Sequence, residues 1–106
     1  MRSFKLEPAA NRALDEIIEY TDAHWGDAQA EAYIHAMFDQ FAAIADGQVI
    51  WRRIPASFGV DGYVQKCGSH LIYWRCGTDE VVRIVAILHE RMHQSPRLRE
   101  ALDGAP

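Results

Sequence analysis

The chain has no hydrophobic run approaching the roughly 18 residues needed to cross a bilayer, and its start, Met1-Arg2-Ser3-Phe4-Lys5, lacks the apolar core of a secretory signal. Both absences point to a cytoplasmic chain. No repeat, low-complexity tract or linker interrupts its 106 residues, so a single domain over 1–106 is expected, burying on the order of 65% of its extended surface. Cysteine is scarce: Cys67 and Cys76 only. A two-residue turn at Gly68-Ser69 sets Cys67 opposite His70 and Cys76 near Asp61, too far apart to bridge, so both are expected to be reduced. A basic surplus is also missing, with 11 Lys and Arg against 15 Asp and Glu. Proteins that grip nucleic acid through phosphates carry such a surplus or a dense basic stripe. Arg52-Arg53 and the scattered Lys66, Arg75, Arg83, Arg91, Arg97 and Arg99 form a sparse footprint that reads as solvated surface.

What is present is amphipathic. Ser3 to Glu7 alternates as a short strand, and Pro8 suits the first position of a helix, where its missing N–H costs nothing. Ala10, Ala13, Leu14, Ile17, Ile18, Thr21 and Trp25 then recur at helical spacing, with Arg12, Asp15, Glu16, Glu19 and Asp22 on the wet face. Trp25-Gly26-Asp27 breaks the pattern, with Gly26 expected in the left-handed helix-end conformation and Asp27 as the next cap. A second helix places Ala30, Tyr33, Ile34, Met37, Phe38, Phe41, Ala42 and Ala45 on one side and ends near Asp46-Gly47. Two helices joined this tightly form an antiparallel hairpin. Residues 48–61 have no readable pattern. Three strands joined by short turns follow: Gly62 to Cys67, Leu71 to Arg75 and Val81 to Leu88.

The last strand is apolar on both faces, with Val82, Ile84, Ala86 and Leu88 on one and Val81, Val85 and Ile87 on the other. Two helices cover only one face of a sheet, so a partner chain is expected to cover the second at least in part. Residues 90–106 read as a charged tail whose removal from Pro96 leaves the fold largely intact. His89-Glu90-Arg91-Met92-His93 matches the H-E-x-x-H zinc pattern. That chemistry needs two His one helical turn apart on an established helix, whereas His89 follows the β-branched run from Val81. The match is read as accidental, and neither metal nor cofactor is expected.

The order strand, helix hairpin, loop, three-stranded meander resembles the RelE/ParE superfamily of small bacterial toxins, and the ParE branch in particular. The residues carrying the likeness are Ala13-Leu14-Asp15-Glu16-Ile17, His24-Trp25-Gly26-Asp27-Ala28-Gln29-Ala30, Gly68-Ser69-His70-Leu71-Ile72-Tyr73-Trp74-Arg75, and the closing Arg83-Ile84, Ile87-Leu88-His89 and Arg91-Met92. The resemblance implies an α+β fold with helices on one sheet face. It also implies a toxin of a type II toxin–antitoxin pair that inhibits DNA gyrase by binding and is held inactive by a ParD-like antitoxin. Relatives on the same fold cut ribosome-bound messenger RNA with clustered cations and a proton-transfer group; here Arg53, Lys66, Arg83, His89 and Arg91 would fill those roles. A module that only binds its antitoxin is the third reading. His89 is either a general base or, the preferred reading, a hydrogen-bonded structural histidine. Under the gyrase reading, Arg91, Met92, His93, Leu98 and Arg99 are expected to touch the target. Trp25, Tyr33, Val81, Val85 and Ile87 are expected to meet the antitoxin. The loop Gly59-Val60-Asp61-Gly62-Tyr63 departs from the G-R-x-R cluster of relatives.

Overall fold

The computed structural model describes residues 3–103; positions 1–2 and 104–106, the start of the N-terminal segment and the end of the expected tail, lie outside the described residues. The first strand, β1 (Phe4–Leu6), runs into α1 (Pro8–Trp25) through Glu7, an extended N-cap whose side chain makes no capping bond. Pro8 therefore starts the helix by its fixed φ alone. Gly26 stops it with φ 90° and ψ 169°, its N–H donating to Asp22 O at 2.9 Å. This positive φ is extended rather than left-handed helical, and Gly26 also serves as the N-cap of α2 (Asp27–Ala45). Asp27 is thus the first helical residue instead of the cap, its carboxylate set at the positive end of the helix dipole.

The sheet has five strands in the order β1-β5-β4-β3-β2. The meander is β3 (Tyr63–Cys67), β4 (His70–Cys76) and β5 (Val82–His89). Cys67 pairs with His70 across the Gly68-Ser69 turn, and both cysteines are free. The stretch without a sequence pattern contributes β2 (Arg52–Arg53), antiparallel to β3, and a single 3-10 turn at Ala56–Phe58. Gly62, just before β3, has φ 146°, and a Cβ there would sit 2.8 Å from Trp74 O, so no larger residue fits. β1 returns to the opposite edge, parallel to β5. Parallel neighbours need a long connection, and here the helix hairpin and the other three strands supply it.

One bulge corrects the reading of β5. Tyr73 pairs with Ala86 but Trp74 pairs with Ile84, leaving Val85 as an extra residue. An extra residue shifts the period-2 alternation by one. Val82, Ile84 and Ile87 therefore pack with Leu14, Ile17, Met37 and Phe41 under the helix hairpin. Val85, Ala86 and Leu88 belong to a second core on the other face.

That second face is covered by the chain itself. The expected tail is largely α3 (Gln94–Asp103), whose Leu98 is fully buried against Tyr73, Val85 and Leu88. Gln94 anchors the helix: Tyr73 Oη donates to Gln94 Oε1 at 2.9 Å, and Gln94 Nε2 donates to His89 O and Met92 O, each at 2.8 Å. The expectation of an uncovered face, to be closed by a partner, is overturned. Two helices were counted from the sequence and a third was missed, because its single apolar turn, Leu98, Ala101 and Leu102, is short and flanked by charge.

Leu98→Ala is expected to destabilise the isolated chain by about 2–5 kcal/mol, as for other leucines truncated in a closed core. Truncation from Pro96 should expose the second face altogether, so the tail is not removable. Thermal unfolding of both variants checks this; an unchanged midpoint in either would refute the role given to α3.

Candidate functional site

A groove of about 560 Å³ opens between α1, the first turns of α2, the β3–β4 turn and the end of β5. Ala13, Glu16, Ile17, Tyr20 and Thr21 reach it from α1 at i, i+3, i+4 spacing, so one face of the helix forms a wall. Gln29 and Tyr33 come from α2, Ser69 and His70 from the turn, and Ile87, His89 and Met92 from the end of β5 and beyond. Ile17 and Ile87 form a buried apolar floor, while Tyr20 and Trp25 stand 62% and 71% exposed on the rim. His24 stacks on Tyr20 with ring centroids 4.0 Å apart, and its Nδ1 lies 2.8 Å from Tyr20 O, which steadies that rim. Two large aromatics left this open on a chain with a closed core make the groove the candidate functional site.

The polar end of the groove is built around the Tyr33 hydroxyl. It lies 2.6 Å from His70 Nδ1, accepts the Ser69 N–H at 3.2 Å, and lies 3.2 Å from Cys67 O. The turn that it clasps depends on glycine: Gly68 has φ 59°, and a Cβ there would fall 2.6 Å from Tyr33 Oη. Burial, and then the charge of neighbouring His89, push the His70 pKa down to about 4, so its imidazole is neutral near pH 7. The His70 and His89 rings meet edge to face at 5.2 Å. His89 Nδ1 accepts the Arg91 N–H at 3.1 Å, which engages that ring nitrogen. His89 is the last residue of β5 and His93 precedes α3 after an intervening turn, so the two do not share a helical face. Among the described residues, no three His, Cys, Asp or Glu side chains gather to hold a metal ion.

The expected site residues divide. Trp25, Tyr33 and Ile87 come together in the groove, joined by His89 and Met92. Val81 lies at the opposite end of β5, and Val85 is the bulge residue buried on the α3 side, so neither belongs to this surface. Arg91, Met92 and His93 occupy the exposed turn between β5 and α3. Leu98 is core instead of a contact residue, and the Arg99 Nε–H donates to Phe58 O at 2.9 Å, fastening α3 to the 3-10 turn. The cations named for RNA cleavage do not all converge: Lys66 lies at the sheet end of His89 and Arg91, whereas Arg53 and Arg83 lie elsewhere. Lys66 Nζ reaches Glu90 Oε1 at 3.4 Å, and Arg83 Nη2 pairs with Asp79 at 2.8 Å. Arg83 lies six residues along β5 from His89, about 20 Å at 3.3 Å per residue, while Arg53 sits on β2 at the sheet edge. The hydrogen bond from Arg83, then that from the Val81 N–H, pull Asp79 down to about 2, so the Arg83 charge is already matched. Sequence reasoning missed Tyr20 and Ser69. Tyr20 was detectable as the residue three beyond Ile17 on the apolar stripe; Ser69 enters through its backbone and left no signal.

A sequence model of the family described as ParE toxin of type II toxin–antitoxin system, parDE, matches residues 4–94. The chain is 32% identical over 104 residues to "Toxin ParE" of Escherichia coli, covering 98% of this chain and all of that protein. It is 31% identical over 90 residues to "Toxin ParE1" of Mycobacterium tuberculosis, covering 84% of this chain and 90% of the relative. A "Toxin ParE1" of Caulobacter vibrioides is 29% identical over 100 residues, covering 92% and 99%.

Gly68→Ala is expected to cost about 1–3 kcal/mol through backbone strain and contact with Tyr33. The loss should be smaller in a Tyr33→Ala background, because the obstructing ring is gone; strictly additive losses in a double-mutant cycle would refute the clasp. His70 has a folded pKa below its ordinary 6.5, so the unfolded chain binds the proton more readily and stability falls as pH drops from about 6.5 toward about 4. Denaturant midpoints measured across that window should flatten in His70→Gln. An equal slope in both proteins would disprove the assignment.

Proposed function

The chain belongs to the ParE toxin family of type II toxin–antitoxin systems, and from that membership we propose that it arrests growth by binding DNA gyrase. Neutralisation falls to a ParD-like antitoxin that lays an amphipathic segment into the groove of Tyr20, Trp25, Tyr33 and Ile87. The observation that supports a binder over a ribonuclease is the dispersal of the cations. Arg53 and Arg83 lie away from His89 and Arg91, Arg83 is neutralised by Asp79, and Lys66 faces Glu90. A phosphorane needs its donors preorganised around one centre, and here Arg53 and Arg83 are held away from the end where Lys66, His89 and Arg91 lie, with Lys66 turned to Glu90. The net charge of −4 also opposes docking on ribosomal RNA. No bond chemistry is assigned to the chain, and its potency resides in contact residues. Arg91 and His93 on the exposed turn serve the target, while Met92 is shared with the groove.

The groove supports an antitoxin helix for a physical reason. Its floor is apolar and its polar end is internally satisfied by Tyr33, Ser69 and His70, so an entering apolar residue displaces water without breaking hydrogen bonds. Rim aromatics add large contact area at low entropic cost.

Supercoiling by purified gyrase is expected to be inhibited by the chain, with inhibition lost in Arg91→Ala, whereas His89→Ala should retain it. Run in parallel, ribosome-dependent messenger RNA cleavage should be absent. Full supercoiling at saturating toxin would eliminate the gyrase reading; cleavage lost on Arg83→Ala would establish the ribonuclease instead.

A further inference from the structure

β2 and the two residues before it carry an exposed patch that neither the groove nor the core explains. Ile50 is 90% exposed and Trp51 59% exposed, next to the exposed Arg52 and Arg53. Trp51 stands edge-on against Tyr63 at 5.0 Å, and the Arg53 guanidinium lies 6.0 Å from the same ring, so the patch is held in place. Neither arginine pairs with a carboxylate among the described residues. β2 is a sheet edge, bonded only to β3. The Ile54 N–H donates to Gly62 O at 3.0 Å, and Arg52 faces Val64 in the same alternation. The backbone N–H and C=O of Trp51 and Arg53 therefore point away from the sheet.

Resting on the reading of this chain as a toxin with a protein target, we propose that the target adds an extended acidic segment alongside β2. Its main chain pairs with Trp51 and Arg53, its carboxylates meet Arg52 and Arg53, and an apolar side chain lies on Trp51 or Ile50. This is strand addition with alternate side chains read on the two faces. Charge selects the occupant. A second copy of this chain would set arginines against arginines across the new strand pair, which is repulsive. A nucleic-acid strand would meet two arginines on a chain of net charge −4 without a basic stripe. Trp and Arg are the residue types that dominate interface energetics. With Leu98 and Arg99 committed to the fold, the turn at Arg91 to His93 is small for a stable interface of roughly 800 Å² per partner. β2 supplies the further area.

The test uses the full chain carrying Trp51→Ala, Arg52→Glu with Arg53→Glu, or the charge-conserving pair Arg52→Lys with Arg53→Lys. Growth arrest on expression without antitoxin and inhibition of purified gyrase are both read, with thermal unfolding as the fold control. The first two variants should raise the concentration for half-inhibition about tenfold or more, the loss expected of a hot-spot residue, and relieve growth arrest, at an unchanged unfolding midpoint. The lysine pair should retain both effects. Wild-type potency in the glutamate variant overturns the proposal. So does wild-type binding to a 30-nucleotide single strand that the glutamate variant loses in step with potency, which would make the surface a nucleic-acid site. So does a wild-type dimer that Trp51→Ala dissociates in sedimentation. If the wild-type chain leaves gyrase untouched, the gyrase reading fails by itself; relief of growth arrest in the glutamate variant then still upholds the surface, and its persistence overturns it.

Discussion

The constraint on which the structure depends is the double-sided burial of β5. From Val82 to Leu88 the strand presents apolar side chains to both faces, and all but Arg83 are buried. A strand of this kind needs a layer above and a layer below. The helix hairpin supplies one, and α3 supplies the other from residues that follow directly on the strand. The bulge at Val85 makes the two layers compatible: without it Ile87 would turn away from the hairpin and His89 away from the groove. One extra residue thus places the groove floor as well as the second core.

Closing the second face shifts function to the ends and edges of the sheet. The end of β5 carries His89 and leads into Met92, the β3–β4 turn brings Ser69 and His70 beside them, and α1 and α2 add Tyr20, Trp25 and Tyr33. Gln94 ties α3 to the same strand end through His89 O and Met92 O. The turn between β5 and α3 is therefore held from both sides, and Arg91 and His93 are displayed from a fixed base. Side chains displayed from a fixed base lose little entropy on binding.

The legible parts of the sequence were those with a long repeating pattern. The hairpin helices extend over 18 and 19 residues, enough turns for the apolar stripe to show, and the Gly68-Ser69 turn fixed the β3–β4 register correctly. The bulge was invisible because a regular alternation cannot be told from a shifted one when nearly every residue is apolar; the chain reads Ile84-Val85-Ala86-Ile87 with no polar residue to mark the slip. α3 was missed because Ser95-Pro96 suggests a break, whereas proline is at home in a helix's first turn. The groove was half legible: Trp25, Tyr33 and Ile87 were identified together, but Val81 and Val85 followed from the unshifted alternation and left with it.

Binding and catalysis make different demands on the charged groups of this fold. Catalytic use of a cation requires that its charge be unspent and aimed at a common point. Arg83 spends its charge on Asp79 within a turn, where the pairing also receives the Val81 N–H, and so it rigidifies the β4–β5 connection. Lys66 and Glu90 span β3 and the start of the β5–α3 turn, and exposed pairs of that kind contribute little beyond local order. The histidines at the groove are likewise engaged, His70 with Tyr33 and His89 with the Arg91 backbone. The groups exposed at the groove rim, the turn and the sheet edge are different in kind: Tyr20 and Trp25, Met92, and Arg91, Arg52 and Arg53. Aromatics, a thioether and arginines are residue types that dominate recognition of a protein surface, and their exposure beside histidines that are paired internally supports the proposal of a chain that acts by holding another protein.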